Sequence, residues 1–154
     1  MDANAMIKKA ITNKKYGFSD QELIETETVY RTDLFEGQNV IVSGAGSGLG
    51  KAIATLFARL GANLIICGRN EEKLRASETY FKSFGHAVST HILSIREPEA
   101  VDRFMSEAWN AFGGVDILVN NAGGQFAQPA IDFKPKGWKA VIDTNLNGTW
   151  FMTQ

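Results

Sequence analysis

From residue 39 onward, short runs of β-branched apolar residues alternate with longer stretches whose apolar residues recur every three or four positions. Val40-Ile41-Val42 is uninterrupted, as in a strand covered on both faces. Leu49, Ile53, Leu56, Phe57 and Leu60 follow at helical spacing and predict a helix over 48–60 with that face turned inward. The alternation then repeats. Strands are predicted at 39–43, 63–67, 87–93 and 115–120, and helices at 48–60, 71–84, 97–112 and from 135 to the end. Gly85 stops the second helix, Pro98 sits in the first turn of the third, and Gly113-Gly114 ends it. Val101, Phe104, Met105, Ala108 and Phe112 mark the buried face of the third helix. Trp138, Val141, Ile142, Leu146, Thr149 and Phe151 mark the fourth, which is still running at Gln154. Repeated β-α units with short connections predict an α/β fold, a doubly wound parallel sheet with right-handed crossovers.

Residues 1–33 break this rhythm. They are polar and mixed, with lysines at 8, 9, 14 and 15. Ser19 with Glu22 three residues on predicts one short capped helix. The expected organisation is an N-terminal extension over 1–33, read as a surface arm, and an α/β domain over 34–154.

Composition narrows the partners. A chain of 154 residues suggests one domain with a real core. Its net charge of −1 gives no electrostatic case for nucleic acid or an anionic membrane. The single cysteine, Cys67, forms no internal disulfide and fits a reducing compartment. No apolar run approaches a membrane span, and the N-terminus has no apolar signal core. The cytoplasm is the expected location, with a peroxisomal address beyond Gln154 left open. His86 and His91 have no acid or second histidine at ligand spacing, so no metal site is expected.

The chemistry begins at residue 43. Ser43-Gly44-Ala45-Gly46-Ser47-Gly48-Leu49-Gly50 joins a predicted strand to a predicted helix. Strand, glycine turn and helix start are the context that makes such a turn a phosphate cradle. The helix start offers unpaired N–H groups and the positive end of its dipole. The common G-x-G-x-x-G fingerprint, begun at Gly44, would need glycine where Leu49 stands. The pattern present is Ser43 followed by Gly44-x-x-x-Gly48-x-Gly50.

That turn resembles the T-G-x-x-x-G-x-G of the short-chain dehydrogenases/reductases, with Ser for Thr. Asp116-Ile117-Leu118-Val119-Asn120-Asn121-Ala122-Gly123 is similar to that family's D-x-L-V-N-N-A-G segment. The resemblance covers about 34–154 and implies a Rossmann-type sheet in strand order 3-2-1-4, here cut short after about four strands. It also implies a nicotinamide cofactor held by Ser43, Gly44, Ser47, Gly48, Leu49 and Gly50, with Asn121, Ala122 and Gly123 shaping its floor. Where NAD-binding members carry an acid after the second strand, Gly68-Arg69 stands here. A guanidinium grips a 2′-phosphate that a carboxylate would repel, so NADP is preferred, with NAD the alternative. Ser94 replaces the usual adenine-contacting Asp, which leaves the backbone of Ile95 for that contact.

Asn145 is an unfavourable residue inside a helix. By resemblance it is the active-site asparagine, which bends the helix and holds a relay water. The family's catalytic Ser, Tyr and Lys would fall after Gln154, and no Y-x-x-x-K is present. These residues are therefore expected to be the N-terminal part of a longer oxidoreductase, active as a homo-oligomer on a small molecule and inactive as this piece alone. Gly123-Gly124-Gln125-Phe126 and the segment from Lys136 to Met152 resemble the branch of peroxisomal trans-2-enoyl-CoA reductase and citronellol/citronellal dehydrogenase. That implies a medium apolar alcohol, aldehyde or enoyl-CoA substrate, with Gln125 and Phe126 as contacts. Trp138, Trp150 and Phe151 are read as core or subunit-contact residues. The alternative is a non-catalytic nucleotide-binding module, if the natural chain ends at 154.

Overall fold

The computed structural model describes residues 17–154; the lysines at 8, 9, 14 and 15 lie outside the described residues. The elements are α1 (Asp20–Glu25), β1 (Asn39–Ser43), α2 (Gly48–Arg59), β2 (Asn63–Gly68), α3 (Glu71–Lys82), β3 (Val88–Ile92), α4 (Pro98–Phe112), β4 (Ile117–Val119) and α5 (Pro135–Ile142). A π-helical stretch (Asp143–Gly148) then leads into α6 (Thr149–Thr153).

The four strands are parallel and lie in the order β3-β2-β1-β4. Val40 sits opposite Leu64 on one side and Ile117 on the other. Successive side chains point to opposite faces, so each strand feeds two cores. Val40, Val42, Leu64 and Ile66 pack with Ala54 and Ala58 of α2 and with Leu74 and Phe81 of α3. Ile41, Ile65 and Cys67 pack with Val101, Phe104 and Ala108 of α4 and with Met152 of α6. Helices on both faces make the sheet doubly wound, as the pattern predicts. β4 is shorter than the predicted 115–120. Asp116 closes its start, accepting from Asn39 N through its carboxylate at 2.8 Å and donating N–H to Asn39 O at 3.0 Å.

The buried face of α2 differs in part from the predicted one: Leu60 is buried and Phe57 packs on the core as expected, but the face is shifted. Gly50, Ala54, Thr55 and Ala58 face inward, whereas Leu49 is 78% exposed and Leu56 also reaches solvent. Close approach is the reason. A Cβ at Gly50 would collide with the Gly44 carbonyl and the Asn121 amide, so α2 seats on its small residues. Phe57 packs on the edge of that core beside Phe35, with ring centroids 4.8 Å apart. The third helix buries Val101, Phe104 and Ala108, as its spacing predicts.

The predicted fourth helix is three pieces in one line. Thr144 Oγ1 donates back to Ala140 O at 2.8 Å and Asn145 Nδ2 to Val141 O at 3.1 Å. Such back-bonding competes with the regular ladder and accompanies its widening into π geometry. Gly148 sits hard against Ile95, whose carbonyl would lie 3.0 Å from an added Cβ.

Candidate cofactor-binding site

A cavity of about 640 Å³ opens at the carboxyl ends of the strands. The glycine turn is one wall. Gly44 takes φ +74° and its N–H donates to Cys67 O at 2.8 Å, which ties the turn to β2. Ser43 lies behind the turn, fully buried. Its hydroxyl donates to Val119 O at 3.2 Å and accepts from Asn121 N at 3.0 Å and Ala122 N at 2.9 Å. Asn121 Nδ2 returns a bond to Ser43 O at 2.9 Å. The ends of β1 and β4 are thus stitched together beneath the cavity. Ser47 precedes α2 with extended backbone and makes no side-chain cap. The N–H groups of Gly48, Leu49 and Gly50 lie ahead of the first helical bond, from Lys51 N to Ser47 O at 3.3 Å, and have no side-chain cap, which suits a bound anion.

The rest of the lining carries positive charge. Arg69, Asn70 and Lys73 line the cavity from the start of α3, and Arg96 lines it from the turn after β3. Asn70 caps α3 by accepting from Lys73 N at 2.8 Å, which places Lys73 in the first helical turn. Neither Arg69 nor Lys73 makes an ion pair among the described residues. No Asp or Glu lines the cavity. Three cations, a helix start and glycine backbone together fit a ligand with several phosphate groups.

Of the residues singled out in the sequence, Gly44, Ser47, Leu49, Gly50, Arg69, Ser94, Ile95, Asn121, Ala122 and Gly123 line this cavity. Ser43, Gly48 and Asn145 do not. Asn145 instead clamps the loop after β4: its Oδ1 accepts from Gly124 N at 3.0 Å and its Nδ2 donates to Gly124 O at 2.8 Å. Gln125 and Phe126 line a second cavity of about 690 Å³, with Gln128, Ala130, Phe133, Pro135, Trp138 and Val141. Phe133 stacks at a tilt on Phe126 (6.1 Å) and edge-on to Trp138 (6.5 Å). Trp138, expected to be a core or subunit-contact residue, is 61% exposed and lines this cavity, so it is not part of the core.

Lys73 and Arg96 went unassigned from the sequence. Lys73 lies four residues after Arg69, one helical turn on, and Arg96 follows the end of β3. Both carry the signal that a strand end faces the ligand.

Cys67 lies fully buried under the glycine turn, and burial pushes its thiol up to about 12. The folded protein is expected to react with a thiol reagent at pH 8 only as fast as it unfolds; a fast stoichiometric reaction would contradict this. The unfolded thiol ionises near pH 9, so stability is also expected to fall as pH rises from there toward 12.

Residues 38–154 match the model of the short chain dehydrogenase family. The chain belongs to this family. It is 41% identical over 119 residues to a probable 2,4-dienoyl-CoA reductase of Bacillus subtilis (strain 168), covering 77% of this chain and 47% of that protein. Among solved structures it resembles the citronellol catabolism dehydrogenase of Pseudomonas aeruginosa PAO1, with TM-score 0.78 and 37% identity over 83% of this chain and 52% of that one. A metagenomic short-chain oxidoreductase in complex with NADP matches with TM-score 0.72 and 36% identity over 77% of this chain and 54% of that one. The short chain dehydrogenase fold described here therefore spans about half the length of the relatives it matches.

Proposed function

We propose that this chain supplies the cofactor-binding half of an NADP-dependent oxidoreductase that acts on a medium-sized apolar alcohol, aldehyde or enoyl-CoA. The carboxylate-free cavity, with Arg69, Lys73 and Arg96 facing the glycine turn, carries the reading. When bound, the nicotinamide supplies or accepts hydride at C4. The start of α2 would hold the diphosphate by backbone N–H groups, and Gly44 and Gly50 let the backbone come close. Arg69 would pair with the 2′-phosphate, where Gly68 offers no competing carboxylate. Matched structures hold NADP in one case, NADPH in another and NAD+ in a third, and the cationic lining here supports the phosphorylated cofactor.

Asn145 would position the loop at Gly123-Gly124 between the two cavities and hold a water for proton transfer. The aromatic second cavity supports an apolar chain as the substrate, with Gln125 and Phe126 at its mouth. Leu146 and Trp150, both exposed along α5–α6, support self-association of the full protein. The buried lone thiol supports a reducing compartment such as the cytoplasm. Among the described residues, no helix is long and apolar enough to cross a membrane.

Arg69→Asp tests the cofactor choice. A charged hydrogen bond contributes about 1.5–3 kcal/mol, so NADPH affinity should fall roughly 10- to 100-fold. NADH affinity should hold or improve. Titration of both cofactors against both proteins measures this, and an unchanged NADPH/NADH ratio would overturn the NADP reading.

A further inference from the structure

The matched residues begin at 38, yet the segment before them is bonded tightly to the helix that builds the phosphate cradle. α1 runs alongside α2 in the same direction. At its start, a capping box joins Ser19 and Glu22, with Glu22 N donating to Ser19 Oγ at 3.2 Å and Ser19 N to Glu22 Oε2 at 2.6 Å. Asp20 then places both carboxylate oxygens 2.7 Å from Lys51 Nζ, in the first turn of α2. At its end, Arg59 in the last turn of α2 donates to Leu23 O at 2.8 Å and Thr26 O at 2.6 Å. Farther along, Phe35 N donates to Leu60 O at 2.8 Å, and Glu36 packs so closely on Gly61 that a Cβ there would meet Glu36 N at 3.1 Å. α3 is held too: Tyr80 Oη donates to Asp20 O at 3.3 Å, and the Lys51 ammonium lies 4.5 Å from the Tyr80 ring centroid.

Lys51 would otherwise be poorly placed. A cation at a helix start opposes the helix dipole, and this side chain is only 16% exposed. Asp20 neutralises it, and Tyr80 offers its ring face. Arg59, conversely, satisfies the terminal carbonyls of α1, where a cation is favoured. Each end of α2 is therefore matched to the corresponding end of α1.

We infer that residues 19–36 are a positioning strap for the nucleotide site. The strap fixes α2 against α3, and the starts of both helices line the cavity. The Ser47–Gly50 cradle and the Arg69–Lys73 wall keep their spacing only while the strap is docked. Cofactor binding and strap docking then reinforce each other, and linkage requires the two effects to be equal in factor. This rests on the nicotinamide-cofactor reading above.

Hydrogen exchange over residues 20–26 in the full protein, with and without saturating NADPH, tests the coupling. NADPH should slow exchange there roughly fivefold. Arg59→Ala should weaken NADPH binding by a similar factor in fluorescence titration, and Arg59→Lys should recover part of the loss. Asp20→Asn gives an independent variant at the other end of the strap. Exchange through global unfolding slows with any ligand of the folded state, so the comparison uses strap amides that exchange faster than the core; a strap that only adds global stability would leave that local opening insensitive to cofactor. NADPH binding with unchanged exchange, or wild-type affinity in folded variants, would overturn the inference. Should Arg59→Ala fail to fold, the exchange measurement on the wild-type protein decides alone. A wild-type protein that binds neither NADPH nor NADH would overturn the cofactor reading itself, and the strap's role with it.

Discussion

Asn145→Ala in the full protein is expected to lower kcat by about 10²- to 10³-fold, the range of a lost proton-transfer path, while leaving cofactor affinity nearly unchanged. The side chain is almost fully committed. Nδ2 donates to Gly124 O and Val141 O, and Oδ1 accepts from Gly124 N, which leaves one acceptor site on Oδ1 for a water. Two roles meet in one residue. It anchors Gly124, which lies between Gly123 of the cofactor cavity and Gln125 of the aromatic cavity, and it does so from the π-helical stretch after α5. Gly123 is glycine for the same reason, since a Cβ there would meet Asn145 Oδ1 at 2.5 Å. A side chain that merely faced solvent would behave oppositely. Alanine would then raise helix stability slightly and leave turnover alone. Steady-state kinetics and a melting curve on the same variant separate these outcomes. Unchanged kcat with a higher Tm would remove Asn145 from the mechanism.

Much of this site could be read from the chain, because local pattern and ligand chemistry coincide there. Val40-Ile41-Val42 signals a strand covered on both faces, the glycines signal a turn that approaches a ligand, and the strand order follows from the resemblance. What could not be read depends on distances between segments. The inward face of α2 is set by its close approach to Gly44 and Asn121, which favours Ala54 and Ala58 over the larger Leu49 and Leu56 that helical spacing selects. The clamp between Asn145 and Gly124 spans 21 residues and leaves no periodic trace. Trp138 has core spacing but packs edge-on against Phe133 in the lining of a cavity, because the loop through 123–133 folds over that side of α5. The bonds from Arg59 to the α1 carbonyls are invisible for the same reason. A residue in the last turn of a helix says nothing about which chain end it will hold.

The 154-residue chain expressed alone is expected to aggregate and to show no dehydrogenase or reductase activity. Among the described residues β4 pairs only with β1, so its other edge presents free backbone donors and acceptors. Bare edges of this kind pair with other chains. Exposed apolar side chains compound the problem. Leu146 is 61% exposed, Trp150 60% and Ile131 94%, on the segments that follow β4. Exposure on this scale favours association over a monomer. The chain also spans about half of its relatives and holds no Tyr and Lys at Y-x-x-x-K spacing to complete proton transfer. Cofactor binding should outlast activity. The glycine turn, α2, Arg69 and Lys73 all belong to the well-packed first three strands, so whatever fraction folds should still bind NADPH weakly. Size-exclusion chromatography and a nicotinamide-absorbance assay measure both halves of this expectation. A monodisperse chain that oxidised an alcohol or reduced an enoyl thioester would mean that the proton donor lies within residues 38–154, and the search would turn to the side chains around Asn145.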